Sequence, residues 1–274
     1  MNKQIQSVIV VGSGNVAESV AVAVSECPQL ELRQVVARNT KRVSEVAALA
    51  SCEWCDDMAK AADADLYIIA VSDRAVEDVA MALRRSEGSI VVHTAGSVER
   101  SVLGEEHTGV LYPFQTFTAG RRVDFSAVPL FVEGSDEQTF LKIEGVARAL
   151  SRRVYRATSA VRREVHLTGV LACNFVNALY AMAADRLEEN ASLPFDVLRP
   201  LIEETARKAV EATHPRSVQT GPAVRGDFSV AERHTKMLAD EHKAQIYKLL
   251  TEYIWQTSKK IKQRSRPSFS MWMA

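Results

Sequence analysis

An α/β architecture is predicted for this chain: a doubly wound, mostly parallel sheet over residues 1–157, followed by an all-helical domain over residues 158–274. Three observations predict it. A strand-like run opens the chain and passes through Gly12-Ser13-Gly14-Asn15-Val16-Ala17 into a helix-like run. Apolar runs of strand length then alternate with helical patterns as far as residue 156. From about residue 158 the strand patterns stop and helical periodicity takes over.

The opening run, residues 5–11, carries Ile5, Val8, Ile9, Val10 and Val11, as a strand buried on both faces should. Gly12 permits a tight turn, and Gly14 has no side chain to obstruct a ligand. Ala17 is small enough for helix 17–24 to pack closely on the strand. The helix start offers free N–H groups and the positive end of a dipole, which suits a dinucleotide pyrophosphate. Gly12, Ser13, Gly14, Asn15 and Val16 are therefore candidate cofactor residues in a Rossmann-type sheet.

Residues 30–37 form a second strand, and Thr40 is expected to cap a helix to about residue 50. A short strand at 51–55 and a short helix at 57–62 follow. The apolar run 65–71 is another strand buried on both faces; it ends in Ser72-Asp73 before a helix through residue 85. Further strands are expected at 89–93, 109–112, 129–133 and 153–156, with a helix at 136–150 before the last. Ligands of such sheets bind beyond the carboxyl ends of the strands. The loops that matter are thus 12–17, 38–42, 71–74, 93–97 and 112–115, which adds Val71, Ser72, Thr94, Ala95 and Gly96 as candidates.

The loop after the second strand, Ala37-Arg38-Asn39-Thr40-Lys41-Arg42, has three cations and no acid. A carboxylate there would accept bonds from the ribose of NAD and repel the extra phosphate of NADP, whereas arginine binds two phosphate oxygens at once. Arg38, Asn39 and Thr40 are accordingly expected to hold NADP (NADPH).

Lysine plus arginine and aspartate plus glutamate number 34 each, so charge points to neither a nucleic-acid nor a membrane partner. Met1-Asn2-Lys3-Gln4 leads straight into the first strand without a leader pattern, and no run is read as long enough to span a bilayer. A cytoplasmic, soluble chain is expected. Cys52-Glu53-Trp54-Cys55 has C-x-x-C spacing but no second pair or nearby histidine. It is read as incidental, with no metal site.

In the second half, helices are expected at 162–189 and 195–213, with a loop at 216–228. Ser229 and Glu232 form a capping box for a helix to about 241, and a last helix covers 242–262. The basic tail at 259–266 is read as a solvated end. The first long helix is rich in small residues and expected to be buried. At roughly 100° per residue, His166, Cys173 and Asn177 share an arc, with Asn174 on its flank. This stripe is either satisfied by neighbouring backbone or faces the nicotinamide and substrate, where histidine delivers a proton and asparagine orients a carbonyl oxygen. Arg225, on the loop 220–227, suits a substrate carboxylate that Asp227 would help to position; the bland alternative is an ordinary ion pair. His107 reads as a surface residue, and His93 could lie at a strand exit beside the cofactor.

Gly12–Ala17, Ala70-Val71-Ser72-Asp73, His93-Thr94-Ala95-Gly96-Ser97, Tyr112-Pro113-Phe114-Gln115, Ala172-Cys173-Asn174-Phe175 and Gly221-Pro222-Ala223-Val224-Arg225-Gly226-Asp227 occur in that order. Together they resemble a bacterial Rossmann-like family whose helical C-terminal domain was long of unknown function. The family is allied to pyrroline-5-carboxylate reductase and to the 6-phosphogluconate and β-hydroxyacid dehydrogenases. The resemblance covers nearly the whole chain and implies a C-terminal domain like that of 6-phosphogluconate dehydrogenase. It also implies a homodimer formed through that domain and a small-molecule substrate. Some members are alternative, NADPH-dependent ketopantoate reductases, so reduction of a small oxo-acid is the leading expectation. A pyrroline-5-carboxylate type of imine reductase and a non-catalytic NADP(H) sensor or scaffold stay open. β-Hydroxyacid dehydrogenases carry a lysine one turn before the helix asparagine. This chain has Val170 there and no lysine on that helix, which leaves His166 as the acid–base group beside Asn174.

Overall fold

The computed structural model describes residues 4–264. Eight strands form one sheet in the order β3-β2-β1-β4-β5-β6-β7-β8: β1 Ser7–Val11, β2 Glu31–Val36, β3 Glu53–Cys55, β4 Leu66–Ile69, β5 Ile90–His93, β6 Thr108–Pro113, β7 Leu130–Gly134 and β8 Val154–Arg156. Every pairing is parallel except that of β6 with β7. Helices α1 (Asn15–Ser25), α2 (Thr40–Leu49), α3 (Val76–Ala82) and α4 (Glu137–Leu150) connect or follow the strands. The central strands β1 and β4 are buried throughout because helices cover both faces, and apolar runs such as Leu66–Ile69 are what that environment selects. One core joins α1, α2 and α4 to one face; the other gathers Tyr67, Ile69, Val76 and Leu103 beneath the opposite face.

The helical half contains α5 (Ser159–Gly169), a π turn (Val170–Asn174) and α6 (Phe175–Ala191) in one run. It continues with α7 (Arg199–Glu211), the single turn α8 (Pro222–Arg225), α9 (Phe228–Met237) and α10 (Glu241–Arg264). Two compact units divide between Val176 and Asn177, so α5 is counted with the sheet although residue 158 was the boundary expected. In the second unit, Gly226 takes φ 77° against the Trp255 ring, and Phe228 meets Trp255 edge-on at 5.3 Å.

Several expectations need correction. Asn39, not Thr40, caps α2, its side chain accepting the Arg42 N–H. Asp227, not Ser229, caps α9. The segment at 57–62 is only a 3-10 turn, Met58–Lys60, and the loop at 216–228 contains α8. The run Ser159–Ala191 is one helix of 33 residues, long and apolar enough to cross a membrane by length and composition alone, contrary to the expectation that no such run exists. The apolar stretch of this helix is also open to solvent rather than buried, although Ser159 and Arg162 near its start are buried. Residues 1–3 and the end of the basic tail at 259–266 lie outside the described residues.

Candidate active site

The carboxyl ends of four neighbouring strands are tied together by backbone hydrogen bonds. Gly12 N donates to Val36 O at 2.8 Å, Ala70 N to Val11 O at 2.7 Å, and Thr94 N to Ile69 O at 3.0 Å. Gly12 takes φ 136°, and a Cβ there would strike the Ala70 carbonyl, so only glycine fits. A Cβ on Gly14 would meet nothing within 4 Å. Gly14 caps α1 without a side-chain acceptor, which leaves the first-turn N–H groups available to a ligand. An open approach, a forced turn and an uncapped helix start fit a dinucleotide pyrophosphate. Asn15 opens α1, and its amide donates to Phe117 O at 3.1 Å, so the loop after β6 lies beside the turn.

At the end of β2, the three cations have different surroundings. Arg42 pairs with the buried Glu18 of α1 and with Glu45, and the Glu18 hydrogen bond raises its pKa. Glu18 also accepts Gly120 N at 2.9 Å. Arg42 is therefore committed to holding α1, α2 and the β6–β7 loop. Arg38 and Lys41 are exposed and enter no ion pair among the described residues. Asn39 is used as the cap, and Thr40 is the first residue of α2. Val71 and Ser72 lie half-buried and exposed beyond β4, where Asp73 accepts a hydrogen bond from Ser97 Oγ.

Beyond β5, the loop 94–99 is gripped from two sides. His93, with no exposed surface, accepts Ala95 N–H on Nδ1 at 3.1 Å, and its Nε2 lies 3.4 Å from Glu99 O. Burial, with the Arg162 charge adding to it, pushes its pKa down to about 3, so the ring is neutral. Gly96 follows, and it is the close-approach point of the site. A Cβ there would come within 2.7 Å of His166 Nδ1 and 2.8 Å of the Tyr112 ring carbon Cζ. Tyr112, near the end of β6, lies with its Oη 3.1 Å from His166 Nδ1. Burial raises its pKa to about 12, and Asp73 adds to the effect.

The π turn changes the arc read from the sequence. A π turn absorbs about one extra residue, so the rotation from His166 to Asn174 matches seven α-helical steps instead of eight. Asn174 moves from about 80° to about 20° from His166, and Asn177 leaves the shared arc. Along the axis the two remain about 10 Å apart, too far to hold one oxygen. Gly169, between them, faces Phe114, whose ring a Cβ would meet at 2.6 Å. Asn174 and Cys173 are exposed. In the second unit, Arg225 is exposed at the end of α8. Asp227 does not pair with it but bonds Ser229 Oγ at 2.9 Å and Val230 N at 3.3 Å. The described residues hold no cluster of three or more potential metal ligands.

Sequence reasoning missed Tyr112, Arg162 and Glu18. Tyr112 was quoted within a motif, but nothing in a strand end announces a partner 54 residues away.

A glycine turn at the switch from β1 to α1, with Tyr112 near the end of β6 bonded to His166 of α5 beside the β5 exit, fits a dinucleotide-binding oxidoreductase fold. Residues 7–96 match the family model described as NADP oxidoreductase, coenzyme F420-dependent, and residues 128–254 match a domain of unknown function (DUF2520). A Bacteroides fragilis protein provisionally named an NADP oxidoreductase is 37% identical, with a TM-score of 0.83, over 92% of this chain and 98% of its own. The chain therefore belongs to this family of NADP oxidoreductases. A Thermotoga maritima protein shares the fold at 18% identity and TM-score 0.72, covering 93% of this chain and 99% of its own. So does an imine reductase from Myxococcus stipitatus in complex with NADP+, at 14% and 0.58, covering 94% and 95%. No curated protein matches the sequence.

Proposed function

We propose that this protein is an NADPH-dependent reductase of a small oxo-acid, with 2-dehydropantoate (ketopantoate) as the leading substrate. The observation that carries the reading is the His166–Tyr112 pair pressed against Gly96 beyond β5. Ketopantoate itself rests on the motif resemblance. The family model that names coenzyme F420 matches only the dinucleotide-binding half, so it bears on NADP and not on the second substrate.

Gly12, Ser13, Gly14, Asn15 and Val16 would hold the pyrophosphate, and Arg38, Asn39 and Thr40 the extra phosphate. Val71, Ser72, Thr94, Ala95 and Gly96 would line the nicotinamide end. When bound, NADPH supplies the hydride. His166 supplies the proton: as an imidazolium it releases the Nε2 proton to the carbonyl oxygen while Nδ1–H stays bonded to Tyr112 Oη. A tyrosine hydroxyl both donates and accepts, so the pair persists in either protonation state of the ring. Asn174 binds a different part of the substrate from His166; the role of Arg225 as a carboxylate ligand rests on the sequence motif alone. Leu167, Leu171, Phe175 and Leu179 recur at every fourth position with at least 36% of each exposed, and a second copy of the chain would cover such a row. This supports a homodimer formed through the helical domain; the cytoplasmic location proposed with it rests on the sequence reading alone.

The test is NADPH oxidation by the purified protein with ketopantoate, followed by absorbance, with NADH as control. Turnover with NADPH and little with NADH is expected. NADPH binding without turnover would sink the ketopantoate assignment. Oxidation with cyclic imines instead, insensitive to replacement of His166, would favour imine reduction. Inertness across the whole panel would favour a sensor.

A further inference from the structure

Arg162 is 1% exposed, and it stands one helical turn before His166 on α5. Its guanidinium makes four hydrogen bonds to fixed partners. Nε donates to Ala95 O at 3.2 Å, Nη2 to Val98 O and to Ser159 Oγ (3.2 Å), and Nη1 pairs with Glu133 of β7. Ser159 Oγ in turn donates to Glu133 at 2.9 Å. Both backbone groups of Ala95 are thus held, its N–H by His93 and its oxygen by Arg162. Glu99, at the far end of the loop, pairs with Arg163, the next residue of α5.

Removing a guanidinium from water costs several kcal/mol, and an apolar side chain often serves stability as well. A planar fork aimed at two carbonyls of one loop and one carboxylate of a neighbouring strand does something an apolar side chain cannot. It fixes the rotation and axial position of α5 against the loop. Residues four apart share a helix face, so fixing Arg162 also sets where His166 stands. The tolerance is small, because Gly96 leaves no room for even a Cβ between loop and ring pair.

We infer that Arg162 is a positioning residue: by clamping the carbonyls of Ala95 and Val98 it seats His166 against Gly96 and Tyr112. The functional side of this inference rests on the reading of His166 as proton donor; the geometric side does not.

The test compares Arg162→Lys with Glu133→Gln. Lysine keeps the charge for Glu133, but its single nitrogen cannot reach acceptors spread around a planar fork. Glu133→Gln removes the ion pair while leaving the bonds to Ala95 O and Val98 O. The readout, on protein without substrate, is the nuclear Overhauser contact between the Tyr112 and His166 rings in selectively labelled samples, with turnover as a second measurement. Arg162→Lys should lose the ring contact and at least about tenfold in turnover while still folding. Glu133→Gln should keep the ring contact and turnover despite a lower melting temperature. Retention of the contact in Arg162→Lys, or its loss in Glu133→Gln, overturns the inference. If Arg162→Lys does not fold, the double variant Arg162→Met with Glu133→Gln, which leaves no buried charge unpaired, takes its place: it should lose the ring contact, and retention overturns the inference. If the wild type reduces no oxo-acid, the reductase reading fails and the ring contact still decides the positioning role.

Discussion

Tyr112 and His166, 54 residues apart in the chain, meet through Oη and Nδ1 at 3.1 Å, with Gly96 against both. The Tyr112 ring also packs edge-on to Phe114 at 6.1 Å and near Phe131 at 6.3 Å. Tyr112→Phe would keep that packing and lose only the hydroxyl. A net hydrogen bond contributes about 1 kcal/mol, so turnover should fall roughly fivefold while NADPH affinity stays unchanged. Steady-state kinetics beside a fluorescence titration of NADPH checks this, and an unaltered turnover number would remove Tyr112 from the mechanism.

Arg38 and Arg42 lie four positions apart and should respond differently. Arg38 is unpaired and exposed beyond β2, whereas Arg42 is held by Glu18 and Glu45. Loss of a charge-assisted phosphate contact costs about 1.5–3 kcal/mol, so Arg38→Ala should weaken NADPH binding about 10- to 100-fold and leave NADH binding nearly unchanged. Arg42→Ala should lower the melting temperature more than the affinity. Equal losses of NADPH affinity in both variants would mean that the phosphate contact is shared.

The pattern of what was legible in the sequence follows from these contacts. The central strands β1, β4 and β5 could be read because buried parallel strands are continuous apolar runs, and the glycine turn because its flanks were a strand and a helix. The short, exposed edge strands β3 and β8 were placed by the alternation of strands and helices. The pairing of Arg42 with Glu18 was not legible because the two sit on different helices, and charge counts carry no pairing information. Arg162 entered the sequence reading only as the first residue of a helix, since burial by a distant loop leaves no local signature. The π turn displaced Asn177 from the proposed arc and moved Asn174 toward it, and one absorbed residue is invisible to a hundred-degree wheel.

The two glycines of the turn are constrained by different things. Gly12→Ala puts a Cβ into the Ala70 carbonyl at φ 136° and should cost more than about 3 kcal/mol of stability. Gly14→Ala fills open space at an ordinary backbone angle, so folding should be nearly unaffected. Its Cβ would stand where the pyrophosphate approaches, and NADPH binding should weaken at least about tenfold. Thermal melts and cofactor titrations of the two variants separate the effects; normal NADPH affinity in Gly14→Ala would place the pyrophosphate elsewhere.

The apolar row on Ser159–Ala191 gives a prediction about assembly. Leu171 is 54% exposed, so a charge there should cost the isolated chain little. In a homodimer built on this row, Leu171→Glu buries an unpaired carboxylate and should shift the protein to monomer in sedimentation velocity. A wild-type protein already monomeric at micromolar concentration would leave the row to another partner.

Buried and neutral, His93 contributes to the loss of stability in acid. In the unfolded chain its imidazole takes up a proton below its ordinary pKa of 6.5, whereas the buried ring does so only near pH 3. Between these values the unfolded state binds more protons, so lowering the pH stabilises it, and folding free energy is lost at up to about 1.4 kcal/mol per pH unit. More than about one unit above pH 6.5 the ring is neutral in both states and this residue contributes almost no pH dependence. His93→Gln supplies a non-titrating amide with an acceptor for Ala95 N–H and a donor for Glu99 O, so it serves as the reference. Urea unfolding of both proteins from pH 4.5 to 7.5 cancels the other titrating groups in the difference. The wild type should lose stability more steeply than the variant below pH 6 and nearly in parallel with it above pH 7. Parallel curves throughout would mean that water reaches His93, and that the β5 loop opens on the timescale of proton exchange.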